Sequence, residues 1–295
     1  MNKRDEAQIE QTAERLSESA AAEMSTGPVG PRERMREAVA PKIEAAVEQR
    51  EAEVAKLTSA PVQGEAAEVA QADPGRMTII DVRKHPHTVA YLKAANASLK
   101  LIGYTEHGRR HAGLVGHIAA NVLRRLDFPA REIELAEIAG YLHDIGNCIN
   151  REQHGQSGAI LAKDILLDLG MPIEEVVIVM GAIGNHEEER GHAVSSVAAA
   201  LILADKSDVH RSRVQNDDPT AFDIHDRVNY AATKSFLRVD TNGERRLTLE
   251  LTVDTEMASV MDYFEIFLSR MVMCRRAAEF LGARFGLQIN DVAVI

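Results

Sequence analysis

Six residues could carry chemistry in this chain: His111, the adjacent pair His143-Asp144, His154, His186 and Asp205. Four imidazoles and two carboxylates form a donor set suited to a pair of borderline or hard divalent metal ions. A carboxylate can bridge two ions, which a neutral imidazole cannot. Any one of these histidines alone would more often be a packing or surface residue; six suitable residues together favour metal binding. The His-Asp pair closes the apolar run Ala139-Gly140-Tyr141-Leu142. Two neighbouring residues do not share one face of a helix, but at a helix end an imidazole and a carboxylate can converge.

Holding six side chains in place requires rigid elements, and the sequence supplies helices. Helical patterns run over residues 86–101, 107–126, 130–142, 155–169, 173–183 and 193–209. Stop signals separate them: Gly103, Phe128-Pro129, Gly170-Met171-Pro172 and Gly191. Each candidate ligand falls on or at the end of one of these helices. Beyond them, residues 236–240 and 246–253 alternate apolar and polar side chains around Asn242-Gly243, which predicts a β-hairpin. Residues 259–281 predict a long helix, Met- and Phe-rich on its apolar side, and residues 284–289 a third strand. The fold class is therefore mostly α (α+β), a helical bundle with a small C-terminal antiparallel β-sheet and a long C-terminal helix.

Residues 1–76 differ from the rest. Ala and Glu dominate there, and the first aromatic residue of the chain is Tyr91. Without large apolar side chains such a segment buries too little surface to offset its ordering entropy. It is expected to be an Ala/Glu-rich tail and linker with one amphipathic helix within residues 31–57, kinked or restarted at Pro41. Residues 77–295 are expected to form the folded domain, with a helical core over about 85–230 and a hairpin-plus-helix extension over 234–295.

A net charge of -11 sets the surface as a whole against polymeric nucleic acid, while leaving room for a small phosphorylated ligand held by local basic residues. Cys148 and Cys274 are too few for a disulfide framework or a thiolate zinc cage. No apolar run approaches the roughly 20 residues of a membrane span, and the opening residues lack the apolar core of a signal peptide. A soluble, cytoplasmic protein without a membrane partner is expected, and the sequence permits a homodimer.

The order His111, His143-Asp144, Asp205 resembles that of the HD superfamily of metal-dependent phosphohydrolases, over roughly residues 85–230. In that family two further histidines between the HD pair and the last Asp mark a binuclear branch, which includes HD-GYP phosphodiesterases and bacterial HD-type diadenosine tetraphosphatases. His154 and His186 stand in those places. The segment Leu203-Ala204-Asp205-Lys206, with Arg211 and Arg213 downstream, is most similar to the second group. The residues after His186, Glu187-Glu188-Glu189-Arg190-Gly191, lack the GYP-type signature. The pair is followed by Ile145-Gly146-Asn147 rather than the acidic motif of guanosine tetraphosphate hydrolases, and Asn147 stands where many relatives have a phosphate-contacting Lys.

The resemblance implies an enzyme with two divalent metal ions, Fe, Mn or another transition metal, or Mg. His111, His143, Asp144, His154, His186 and Asp205 would hold them, with Asp144 as the bridge. A metal-activated hydroxide would then cleave a phosphoester or phosphoanhydride of a small nucleotide-like substrate. Lys206 adjoins a ligand and is expected to act with Asp144 in catalysis and to contact substrate phosphate, together with Arg211 and Arg213. His107, one helical turn before His111, competes with it as a ligand. Glu187 and Glu188 are candidate outer partners of the ligands, and Cys148 reads as a small buried hydrophobe. Two other readings are a mononuclear 5′-nucleotidase of the same superfamily, with His154 and His186 idle, and a non-catalytic ligand-sensing or scaffold module.

Overall fold

Proline, glycine and serine punctuation sets the helix boundaries. A computed structural model describes residues 76–295 except 189, 217 and 219–221, so the helix expected within residues 31–57 lies outside the described residues. Helix α1 (Ile79–Lys84) stops at His85, which is extended (φ -60°, ψ 130°) ahead of Pro86. Pro86 then opens α2 (Pro86–Leu101) at a position where its missing N–H is not needed. There follow α3 (Arg109–Arg125), α4 (Ala130–Leu142), α5 (His154–Asp168), α6 (Ile173–Gly184) and α7 (Ser196–Ser207), close to the expected spans. Helix α7 starts later than residue 193 because Ser195 caps it, its hydroxyl accepting the Ala198 N–H at 3.1 Å. Helix α1, α8 (Ile224–Ala231) and the 3-10 turns Ile145–Cys148 and Arg211–Arg213 are too short to show a period in the sequence.

Helix α7 is the centre of the bundle. Residues 197–204 are buried on every side, and a helix apolar all round can only sit inside others. It packs against α3, α4, α6 and the last helix, α9 (Val260–Phe280). Its two ends differ in consequence: the N-terminal end is capped, and the C-terminal end delivers Asp205 into the interior.

Helices α3 and α4 meet backbone to backbone. A Cβ on Gly140 would lie 2.6 Å from the Cα of Gly116, and one on Gly116 would lie 2.7 Å from the carbonyl oxygen of Glu137. That approach draws the first turn of α3, with His111, towards the end of α4, with His143. Gly140→Ala must push the helices apart, and we expect a loss of about 1–3 kcal/mol in urea unfolding. Unchanged stability would mean that the two helices have slack at this crossing.

The C-terminal strands are β1 (Ala232–Asp240), β2 (Arg246–Val253), β3 (Arg284–Ile289) and β4 (Val292–Ala293), in the order β1-β2-β3-β4. Leu237, Val239, Leu247, Leu249, Leu251 and Leu287 form the buried face. The hairpin and the third strand stand where expected, but the sheet is mixed rather than antiparallel. β2 and β3 run parallel, with Leu249 opposite Leu287, because α9 carries the chain back to the same end before β3 begins. β1 also starts ahead of residue 236, through a register shift between Ala232 and Lys234 that breaks the alternation there. Among the described residues, no helix is long and apolar enough to cross a membrane.

Candidate metal centre

All six candidate ligands sit at helix ends facing one interior point. His111 is in the first turn of α3, His143 caps the C-terminus of α4, and Asp144 starts the 3-10 turn that follows. His154 opens α5, His186 follows the C-cap of α6, and Asp205 lies in the last turn of α7. The turn after the His-Asp pair depends on Gly146, since a Cβ there would overlap the carbonyl oxygen of His154 and come within 2.6 Å of the Gly158 nitrogen. The absent side chain lets the start of α5 lie against that turn, bringing His154 up to Asp144.

Each imidazole is oriented by its Nδ1. Three of them bond to the carbonyl three residues earlier: His143 to Gly140 at 2.8 Å, His154 to Arg151 at 2.9 Å and His186 to Ile183 at 2.6 Å. The carbonyls at the ends of α4 and α6 lack intrahelical partners and are free to accept. His111 Nδ1 bonds to the carboxylate of Asp208 at 2.8 Å. A carbonyl or an ionised carboxylate can only accept, so each Nδ1 carries a hydrogen, and each ring in its neutral form turns an Nε2 lone pair into the cluster.

Those lone pairs point at one another. His111 and His143 Nε2 are 3.2 Å apart, and His154 and His186 Nε2 are 3.1 Å apart. Asp144 divides the set: its Oδ2 is 3.1 Å from His143 Nε2 and 3.4 Å from His111 Nε2, while its Oδ1 is 3.4 Å from His154 Nε2. Asp205 Oδ1 closes the first group, 3.4 Å from His111 Nε2 and 3.6 Å from His143 Nε2. Ligand atoms bound about 2.1 Å from a common ion stand about 3.0–3.4 Å apart, so the spacing is that of a coordination shell. Donor atoms of His111, His143 and Asp205, and of His143, Asp144 and His186, lie within 4.8 Å of one another, and either group could hold a metal ion.

Electrostatics favours a cation here. Asp144 Oδ2 is buried with no hydrogen-bond donor among the described residues. Burial pushes the His143 imidazolium down, yet the charges of Asp144 and Asp205 raise its pKa to about 10. Burial raises Asp144 and Asp205 too, but His143 for the first and Lys206 for the second hold both carboxyls well below the usual range. His186 goes the other way: burial, then the positive charge of His154 and His143, keep it well below an ordinary histidine. The two carboxylates thus draw positive charge onto the imidazole nearest them, as they would draw a divalent ion, and the donor set fits such ions.

Outer partners complete the frame. Asp208, the C-cap of α7, also receives Arg110 Nη2 at 3.3 Å and faces Arg213 Nε at 3.7 Å. Glu187 accepts the Gly155 N–H at 2.5 Å and sits 3.1 Å from His154 Nδ1. Asn147 donates to the Asp144 carboxylate at 2.8 Å.

The basic residues expected to meet phosphate divide. Lys206 is at the cluster, its Nζ 2.5 Å from Asp205 Oδ2 and 3.8 Å from Glu188. Arg213 must be reassigned: it is buried, Nε and Nη2 donate to the Glu106 carbonyl and Nη1 to the Asp208 carbonyl, so its donors are committed to the backbone. Arg211 is likewise turned elsewhere, its guanidinium 5.0 Å above the Tyr230 ring. His107 stays one turn behind His111, its Nδ1 bonded to the Thr105 carbonyl at 2.6 Å, so His111 is the member of that pair in the cluster. Cys148 is half-buried. Two residues near the cluster escaped the sequence reading: Asp208, one turn beyond Asp205, and Arg151, one turn before His154.

Residues 108–212 match the family model described as HD domain. An HD domain is therefore present, from a superfamily of metal-dependent phosphohydrolases whose members bind divalent metals. An uncharacterized protein of Methanocaldococcus jannaschii, MJ1020, is similar to this chain at 24% identity over 205 residues, covering 61% of this chain and 78% of that protein.

Proposed function

We propose that this HD domain holds two divalent metal ions and hydrolyses a phosphoester or phosphoanhydride of a small, nucleotide-like substrate, as HD-type diadenosine tetraphosphatases do. One observation carries the reading: the Nε2 atoms of four histidines and the carboxylate oxygens of Asp144 and Asp205 face one another, and Asp144 presents one oxygen to each histidine pair. One group is His111, His143, Asp205 and Asp144 Oδ2; the other is His154, His186 and Asp144 Oδ1. Bound divalent ions would supply Lewis acidity, lowering the pKa of a water and offsetting charge on phosphoryl oxygens.

The chain's own residues do the rest. Outward hydrogen bonds from the four Nδ1 atoms fix the rings before any ligand arrives, so little reorganisation is needed on binding. Lys206 stands against Asp205 at the edge of the first group, where a substrate phosphate oxygen can take its ammonium. Burial of the histidines excludes bulk water and strengthens each of these charges.

The test is elemental analysis of the full chain, followed by turnover of nucleotides and p-nitrophenyl phosphoesters. About two ions per chain are expected, and His154→Ala and His186→Ala should each lose activity. One ion at saturation, with both variants fully active, would make the domain a mononuclear nucleotidase; two ions without turnover of any phosphoester would favour a sensing or scaffold role.

A further inference from the structure

Arg151 is held beside the second histidine pair by the side chains of Tyr104 and Asn147. Its guanidinium carbon lies 5.2 Å above the ring of Tyr104, itself 43% exposed. Its Nη1 is 3.2 Å from Asn147 Oδ1, and Asn147 is anchored by donating to the Asp144 carboxylate at 2.8 Å and the Asp144 carbonyl at 3.0 Å. The same Nη1 is 3.5 Å from His154 Nε2. A positive charge is thus kept within reach of a nitrogen that the proposed function assigns to a metal ion.

That arrangement is incomplete without an anion. Once the His154 lone pair is directed at a divalent cation, Nη1 loses that acceptor and faces a like charge. Among the described residues only Nη1 finds acceptors, so Nε and Nη2 remain available to a ligand. The neighbouring arginines are committed differently: Arg110 and Arg213 to Asp208 and Glu106. An oxyanion with several oxygens can accept from the guanidinium fork while turning another oxygen to the metal position.

The geometry points to Arg151 as the phosphate clamp of the second histidine pair, with Tyr104 and Asn147 as the residues that position it. Lys206 at one edge and Arg151 at the other then bracket the cluster. The added cation favours a substrate carrying at least two negative charges, a phosphomonoester or an oligophosphate, over a singly charged phosphodiester. This rests on the metal reading above. Arg151 does not serve as the support of His154, because that ring is held by the backbone carbonyl of residue 151 and faces Glu187, which a change of the Arg151 side chain leaves in place.

The experiment uses inorganic phosphate as the probe and reads metal content separately. Arg151→Gln, Arg151→Lys and Tyr104→Leu are compared with wild type in the full chain, first by elemental analysis and then by phosphate titration calorimetry. Arg151→Gln should keep its metal and bind phosphate about 10- to 100-fold more weakly, the range of a lost charge-assisted pair. Arg151→Lys should recover part of that, keeping the charge but not the fork, and Tyr104→Leu should weaken binding several-fold. Phosphate affinity indifferent to Arg151→Gln in metal-loaded protein overturns the clamp and spares the metal reading. Metal lost together with phosphate affinity also overturns it, because Arg151 would then be supporting His154. Wild-type protein that takes up no divalent ion yet binds phosphate through Arg151 would sink the metal reading and leave the clamp standing.

Discussion

Replacing Asp144 by asparagine is expected to abolish hydrolysis, by about three orders of magnitude or more, and to weaken both metal positions at once. The carboxylate is buried, and its two oxygens serve different histidine pairs. Asparagine removes the charge that two cations would share and replaces one oxygen by an NH2 group. That group points hydrogens at bare Nε2 atoms, filling with an internal hydrogen bond a place meant for an ion. The fold should persist, because the amide relieves the clustered lone pairs instead of leaving a void. His186→Ala makes the contrast: it leaves His111, His143, Asp144 and Asp205 in place, so one position should stay occupied. Metal titration of the demetallated variants by calorimetry separates the cases. If Asp144→Asn loses a single ion and still turns over, Asp144 is a terminal ligand and the bridging arrangement is wrong.

The helices of the bundle were legible because each carries its own period and its own stop signal, and α4 and the helices beside it begin and end close to where Pro129, Gly170 and Pro172 place them. The direction of β3 was not: a strand pattern is the same read parallel or antiparallel, although the 21-residue helix α9 before it already implied a crossover. The start of β1 was hidden by the register shift after Ala232. In the centre, the six candidate ligands were visible through residue type and order. The fate of the arginines was not, because it depends on backbone carbonyls distant in sequence. Arg213 looks like a free cation until the Glu106 carbonyl is brought to it. Arg151 looks like a surface residue until the turn at Ile145–Cys148 folds it over Tyr104. Sequence pattern reports which groups are present, and packing decides which of them still have hydrogen bonds to give.

Asp208 carries the second large effect, because one carboxylate there serves three partners. Its Oδ2 accepts from His111 Nδ1 and Arg110 Nη2 and lies 3.7 Å from Arg213 Nε, all of them with little or no exposure. Asp208→Asn keeps an oxygen for His111 but leaves the buried Arg213 without its carboxylate and Arg110 with Glu106 alone, and breaking a buried pair in this way costs about 3–5 kcal/mol. Metal affinity should also fall, by about 10- to 100-fold, since an uncharged amide oxygen raises the basicity of His111 less than a carboxylate does. The pH dependence gives an independent check. Burial alone would raise the Asp208 carboxyl, but Arg110, His111 and Arg213 hold it well below the usual range. A depressed folded pKa contributes stability that is complete above the unfolded value of about 3.9 and is lost as pH falls through the folded value. The stability gap between wild type and Asp208→Asn should therefore be full at neutral pH and narrow as the solution is acidified below about pH 4. Urea unfolding across that range measures it. A gap that is absent at neutral pH, or that stays constant on acidification, would show that the two arginines draw their compensation from elsewhere, and that Asp208 acts on His111 alone.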